Sequence, residues 1–249
     1  MINAGEIRQA KPFKTGKTLL IFSELFFVLF PLYFGLFLNA LTRISHIRLG
    51  GELVLLGGPF AYLGLAGSVL MLCLVMVIRK TGLSHYGMGR ITKPGLTILK
   101  GLGVALSVFA AVIFIINPLL NLIPGLGPRN MDKFKILFNN PTALVLNIAA
   151  MWVSAALLEE LIWRGFLINR LLALLTGNKT TVKILTLLIS SVVFGLAHAY
   201  QGPAGMIKTG AIGFVFGAAY LFLGKDLWPL VLAHGLIDTL DFVSHFYGG

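Results

Sequence analysis

Eight acidic and histidine side chains stand inside stretches apolar enough to cross a bilayer: Glu24, Glu159, Glu160, His198, His234, Asp238, Asp241 and His245. Placing such groups in hydrocarbon is costly, and they are kept mostly for function or for a specific pairing. All except Glu24 fall between residues 159 and 245, so any chemistry belongs to the last part of the chain. Their types admit three reactions: a glutamate-activated water attacking an amide, a histidine and carboxylate metal site doing the same, or a proton or ion relay.

Spacing separates the roles. In Leu158-Glu159-Glu160-Leu161-Ile162-Trp163-Arg164-Gly165 the adjacent carboxylates point about 100° apart on a helix. Glu160 stands four residues before Arg164, the favourable order for an ion pair, whereas the equivalent neighbour of Glu159 is Trp163. Glu159 therefore has the apolar setting of a general base; the alternative is a helix leaving the membrane with a solvated Glu-Arg pair. His198 follows Phe194-Gly195-Leu196-Ala197, and the loop centred near Asn178 lies 19 residues after Glu159 and 20 before His198. An antiparallel hairpin puts both at one depth, with Gly165 and Gly195 expected to let the two backbones approach. Taken alone, His198 could equally be an interfacial histidine bonded to a backbone carbonyl.

His234, Asp238, Asp241 and His245 share one helical stripe, Asp241 and His245 reading as polarity at the end of a span. His234 is about 10 Å from the start of its helix, while Glu159 and His198 are about 25–30 Å from their hairpin tip. The three can meet only if that basic hairpin projects well beyond the start of the last helix. The H-E-x-x-H zinc signature is absent, although His198, His234, Glu159 and Asp238 could still assemble a metal site from separate helices.

The elements that must position these groups are membrane spans. Of 249 residues 57% are hydrophobic and 12% charged, with a mean hydropathy of +0.90, which excludes a soluble globular domain. The expected architecture is an all-α, polytopic transmembrane bundle of about seven spans: 18–42, 53–78, 96–116, 142–163 with a continuation to about 175, 181–200, 204–223 and 227–246. It forms a single membrane domain over 1–249, with N-terminal spans and loops in 1–141 and the chemistry-bearing helices in 142–249. Thr18 to Thr42 reads as a signal anchor. Segment 81–89 is expected to be an ordered loop, and Asn117 to Pro141, with four prolines, cannot continue a helix and reads as an external loop.

Twenty Lys and Arg stand against 9 Asp and Glu, a net charge of +11. In a chain this apolar the excess marks loops and anionic lipid; nucleic acid is not an expected partner. With the N-terminus cytoplasmic, the inner segments hold Arg8, Lys11, Lys14, Lys17, Arg79, Lys80, Arg90, Lys93, Lys100, Arg164, Arg170, Lys179, Lys183 and Lys225. The outer segments hold Arg43, Arg48, Arg129, Lys133, Lys135 and Lys208, so the positive-inside asymmetry orients the bundle. The lone Cys73 rules out a cysteine-based metal cluster. Glu24 is expected to be a satisfied polar group in the bundle or near its cytoplasmic surface. No internal repeat supports a transporter.

The ordered set Glu159-Glu160-x-x-x-Arg164, Phe194-x-x-x-His198 and His234-x-x-x-Asp238 resembles the three motifs of the CPBP family, which unites the CaaX prenyl endopeptidases with the bacterial Abi proteins. The resemblance covers about 142–249. It implies an intramembrane glutamic-type endopeptidase that needs no cofactor, with a cavity open to the cytosolic side and a membrane-associated peptide or protein as substrate. Glu159 would activate water and His198 would help to hold it. Glu160 and Arg164 would support the site, and His234 with position 238 would stabilise the oxyanion. The short basic architecture reads as that of a prokaryotic cytoplasmic membrane protein. Asp238 stands where eukaryotic-type members have Asn; an ionised Asp repels an oxyanion, so it must either stay protonated or accept a proton from His234 and orient that ring. The second is preferred. The alternatives are a non-catalytic immunity or scaffold protein using the same helices, and a zinc-dependent protease.

Overall fold

A computed structural model describes residues 15–44, 46–49 and 53–248. The N-terminal cations Arg8, Lys11 and Lys14 and the acidic Glu6 and Glu52 lie outside these residues. The chain forms an all-helical membrane bundle: α1 (Thr15–Thr42), α2 (Pro59–Arg79), α3 (Pro94–Asn121), α4 (Pro141–Leu174), α5 (Lys179–Leu196), α6 (Gly202–Phe222) and α7 (Trp228–Gly248). Six of these helical segments are long and apolar enough to cross a membrane. The seventh helix, α7, is long enough but carries His234, Asp238, Asp241 and His245, which lower its hydropathy.

Two boundaries differ from the sequence-based expectation. The second span begins at Pro59 because His46–Leu49 (β1) and Leu53–Leu56 (β2) pair antiparallel, His46 opposite Leu56. Proline suits the first turn of a helix, where its missing N–H costs nothing. The Leu56 N–H is also held outside any helix by the Asn147 Oδ1, 2.6 Å away. The third helix continues past Pro118 to Asn121 because residues 112–116 form a wide π turn just before the proline. Such a turn absorbs the missing donor and the ring clash that would end a regular α-helix. Helix α4 is likewise wound as π turns over Trp152–Glu159 and Leu161–Ile168.

The core joins the early and late helices: Val28 of α1, Leu72 of α2, Val108 of α3, Ile162 and Phe166 of α4, Tyr220 of α6 and Leu230 of α7 are all buried in one cluster. Outward faces stay apolar, as a lipid-facing surface requires; Phe26, Phe30 and Phe34 stack along the outside of α1. Segment 81–89 is ordered. It forms a 3₁₀ turn over Leu83–Tyr86, and the fully buried Tyr86 plugs the bundle end where α1 begins and α4 finishes.

Glu24 is a satisfied polar group at that same end. Its carboxylate accepts from the Arg79 Nε at 2.5 Å and lies 2.9 Å from the Arg170 Nε, and Arg170 donates to the Tyr86 hydroxyl at 3.0 Å. One carboxylate thus ties α1, α2, α4 and the 81–89 loop. Glu24→Ala leaves two cations without their shared partner, one of them nearly buried, and is expected to cost on the order of 3 kcal/mol. The check is a lowered midpoint in thermal denaturation of the detergent-solubilised protein.

Candidate functional site

A cavity of about 520 Å³ opens within one half of the bundle. Its walls come from the C-terminal halves of α1, α3 and α5, the N-terminal half of α2, and the middle of α4, α6 and α7. Glu159, Arg164, His198, His234 and Asp238 all face it; Glu160 lies beneath its floor, with none of its surface exposed. All six sequence-predicted residues are therefore brought to one place.

Glu160 holds the floor together. Its Oε1 accepts from the Arg164 Nη1 at 2.7 Å within α4 and from the His234 Nδ1 at 2.8 Å across to α7. Arg164 is itself buried, its guanidinium lying 4.5 Å from the Phe194 ring centroid and 5.0 Å from that of Phe216. Stacking on both rings carries the ion pair to α5 and α6. Glu160 thus has the expected local partner and a second, His234, that only the tertiary packing supplies.

His234 stands between two carboxylates, its other nitrogen, Nε2, 3.4 Å from the Asp238 Oδ2. Each ring nitrogen can satisfy a carboxylate only by donating, which a doubly protonated imidazolium does. The Nδ1 contact is the short one, so Nε2 is the nitrogen freer to donate elsewhere.

His198 lies at the cavity wall just beyond α5. Its Nδ1 donates to the Phe194 carbonyl at 2.9 Å, leaving Nε2 with a lone pair. The interfacial histidine bonded to a backbone carbonyl and the cavity histidine are one and the same. Glu159 makes no hydrogen bond among the described residues, although His234, Asp238 and Arg164 lie close enough to act on its charge. A carboxylate with open oxygens and a histidine with an open lone pair thus line the same cavity.

The depth condition is met by an offset between helices. Leu227, just before α7, donates its N–H to the Gly87 carbonyl at 3.0 Å, and its side chain packs beside Gly165. Helix α7 therefore starts level with Gly165, and α4 runs nine residues further, about 14 Å. The two glycines do permit close approach, though not to each other. A Cβ on Gly165 would sit 2.7 Å from the Tyr86 carbonyl oxygen, and one on Gly195 2.6 Å from that of Met206. Gly165 faces the 81–89 plug and Gly195 faces α6.

Sequence reasoning missed the cavity mouth. Arg129 and Lys133, from the segment expected to be an external loop, line it together with Tyr200, Gln201 and Lys208. The Arg129 Nε donates to the Gln201 Oε1 at 2.7 Å, and the Lys133 ammonium lies 3.7 Å from the Tyr200 ring centroid. The available signal was two cations in a proline-broken segment that could fold inward. Asp241 also lines the mouth, and His245 stacks on Phe134 at a centroid separation of 5.1 Å. Among the described residues, no three His, Cys, Asp or Glu side chains gather closely enough to hold a metal ion.

The adjacent glutamates differ in what their removal should do. Glu160→Gln takes a buried charge from Arg164 and His234 and is expected to cost roughly 3–5 kcal/mol. Glu159→Gln disturbs no hydrogen bond and should stay within about 0.5 kcal/mol of the parent. Parallel thermal or denaturant unfolding of the two variants checks this contrast.

Residues 141–240 match the family described as Type II CAAX prenyl endopeptidase, Rce1-like. Over this stretch the resemblance read from the three motifs is borne out, and the matched stretch carries the fold of a membrane-protease family. No curated protein and no solved structure matches the chain.

Proposed function

We propose that this integral, multi-pass membrane protein is an endopeptidase that hydrolyses a peptide bond of a membrane-associated peptide or protein with a glutamate-activated water. The observation that carries this reading is that Glu159, without a hydrogen bond among the described residues, and His198, with its Nε2 open, line one cavity whose floor holds a fixed imidazole. The motif match over 141–240 supports it.

In this reading a water lies between Glu159 and His198. Glu159 takes one of its protons as the oxygen attacks the substrate carbonyl, and the His198 Nε2 orients the water by accepting a hydrogen bond from it. The negative charge on the carbonyl oxygen is met by the His234 Nε2–H, the nitrogen only loosely engaged by Asp238. Collapse of the tetrahedral intermediate breaks the C–N bond. Glu159 returns its proton to the leaving amine, giving one carboxylate and one amine.

Glu160 and Arg164 act by positioning: the carboxylate fixes Nδ1 of His234, and the guanidinium, clamped by Phe194 and Phe216, fixes the carboxylate. Asp238 completes the orientation from its own helix one turn on. The cavity wall from α1, α2 and α3, with Leu32, Leu36, Leu65 and Val108, suits an apolar peptide or a lipid-bearing one.

The test is cleavage of a quenched-fluorescence peptide pool by the purified protein and its Glu159→Ala variant, each with and without a strong chelator. Wild-type cleavage that survives chelation and falls by about 10²–10⁴-fold in Glu159→Ala is the expected result. Loss on chelation with rescue by zinc would move the reading to a metalloprotease, and absence of cleavage in both would favour a non-catalytic scaffold. In the same assay Asp238→Asn should retain more activity than Asp238→Ala or His234→Ala, because an amide oxygen still accepts from His234; equal inactivity of Asn and Ala would sink the orienting role.

A further inference from the structure

We infer that the cavity opens on the non-cytoplasmic face of the membrane, so that the substrate is an exported or membrane-anchored segment displayed on that face. The substrate class rests on the endopeptidase reading; the direction of the opening does not.

The two ends of the bundle are built differently. One end gathers the start of α1, the 81–93 segment, the α4–α5 connection and the α6–α7 connection. It is closed: Tyr86 is fully buried, Arg170 reaches Tyr86 and Glu24, the Leu227 N–H bonds Gly87, and the Trp228 Nε1 donates to the Gly89 carbonyl at 2.7 Å. The cavity runs from the middle of the bundle, at Arg164, Phe216 and His234, toward the other end, where Arg129, Lys133, Tyr200, Lys208, Asp241 and Ser244 line it. Nothing from the sealed connections at 81–93 or 175–178 lines it.

Lys and Arg residues then decide which end faces the cytoplasm. Among the described residues the sealed end carries Lys17, Lys80, Arg90, Lys93, Lys100, Lys179, Lys183 and Lys225, besides Arg79 and Arg170 held by Glu24. At the cavity end three of the cations, Arg129, Lys133 and Lys208, are walls of the cavity itself. Once these are assigned to the site, Arg43, Arg48 and Lys135 remain in the connections, and Lys135 is paired with Asp132 at 2.7 Å. Basic segments are retained on the cytoplasmic side. The sealed end is cytoplasmic and the mouth faces away from it, opposite to the cytosolic opening that the motif resemblance implies.

The test separates sidedness from activity. In a Cys73→Ser background, Ser244→Cys and Thr92→Cys are compared in spheroplasts of a bacterial host with a membrane-impermeant maleimide. Asn121→Cys and Thr176→Cys form a second pair in case one variant does not fold. Labelling of positions 244 and 121 in intact spheroplasts, and of 92 and 176 only after permeabilisation, is the expected pattern; the reverse overturns the inference. A membrane-impermeant quenched peptide cleaved by the full protein should then be processed at least tenfold faster by right-side-out than by inverted vesicles. Faster cleavage by inverted vesicles also overturns it. Expected labelling without cleavage in either vesicle would leave the opening where it is placed and overturn the endopeptidase reading with its substrate class.

Discussion

A single buried carboxylate oxygen organises the site. Oε1 of Glu160 receives both Arg164 and His234, and Arg164 in turn lies between Phe194 and Phe216. Charges in so apolar an interior persist only when paired, and one removed from its partners leaves the others uncompensated. The arrangement therefore couples four helices: α4 supplies the carboxylate and guanidinium, α7 the imidazole, and α5 and α6 the two rings. Movement of any one helix would break a charged contact in a medium that offers no replacement.

That constraint explains how two adjacent glutamates come to have different surroundings. Glu160 points into the packed interior with its Oε1 committed to Arg164 and His234, while Glu159, one residue earlier on a π-wound stretch, points into the cavity and has no hydrogen bond among the described residues. π turns are frequent at functional sites because they redirect side chains without ending the helix. The same stretch leaves His234 tightly held through Nδ1 and loosely through Nε2, so the ring is oriented yet keeps one donor toward the cavity. Rigidity beneath the site and open valence above it are the combination that a hydrolytic centre needs.

The bundle is polar at both ends for different reasons. At the sealed end Glu24, Arg79, Arg170 and Tyr86 close the structure with short, buried contacts. At the cavity end Arg129, Lys133 and Lys208 are half-buried around an opening, held by Gln201, Tyr200 and the nearby Asp241. The first cluster makes a plug and the second makes a mouth, although in the sequence both are only scattered basic residues within or beside apolar runs.

Hydropathy and charge in the sequence alone determine an all-helical membrane protein, because each lipid-facing backbone must satisfy its own hydrogen bonds and each span must be apolar. The three motifs also determine which side chains to watch, since ionisable groups are rare in such spans, and the four-residue spacing of Glu160 and Arg164 is a local property of a helix. The partnership of Glu160 with His234, 74 residues away, is not local, and neither is the burial of Gly165 against Tyr86 in place of α5. The offset start of α7 depends on a backbone bond to Gly87 that no periodicity reveals. The inward fold of Arg129 and Lys133, and with it the side on which the cavity opens, follows from packing between distant segments. Those features were decided only by the tertiary structure, because the free energy that fixes them comes from pairing charges and filling space across helices.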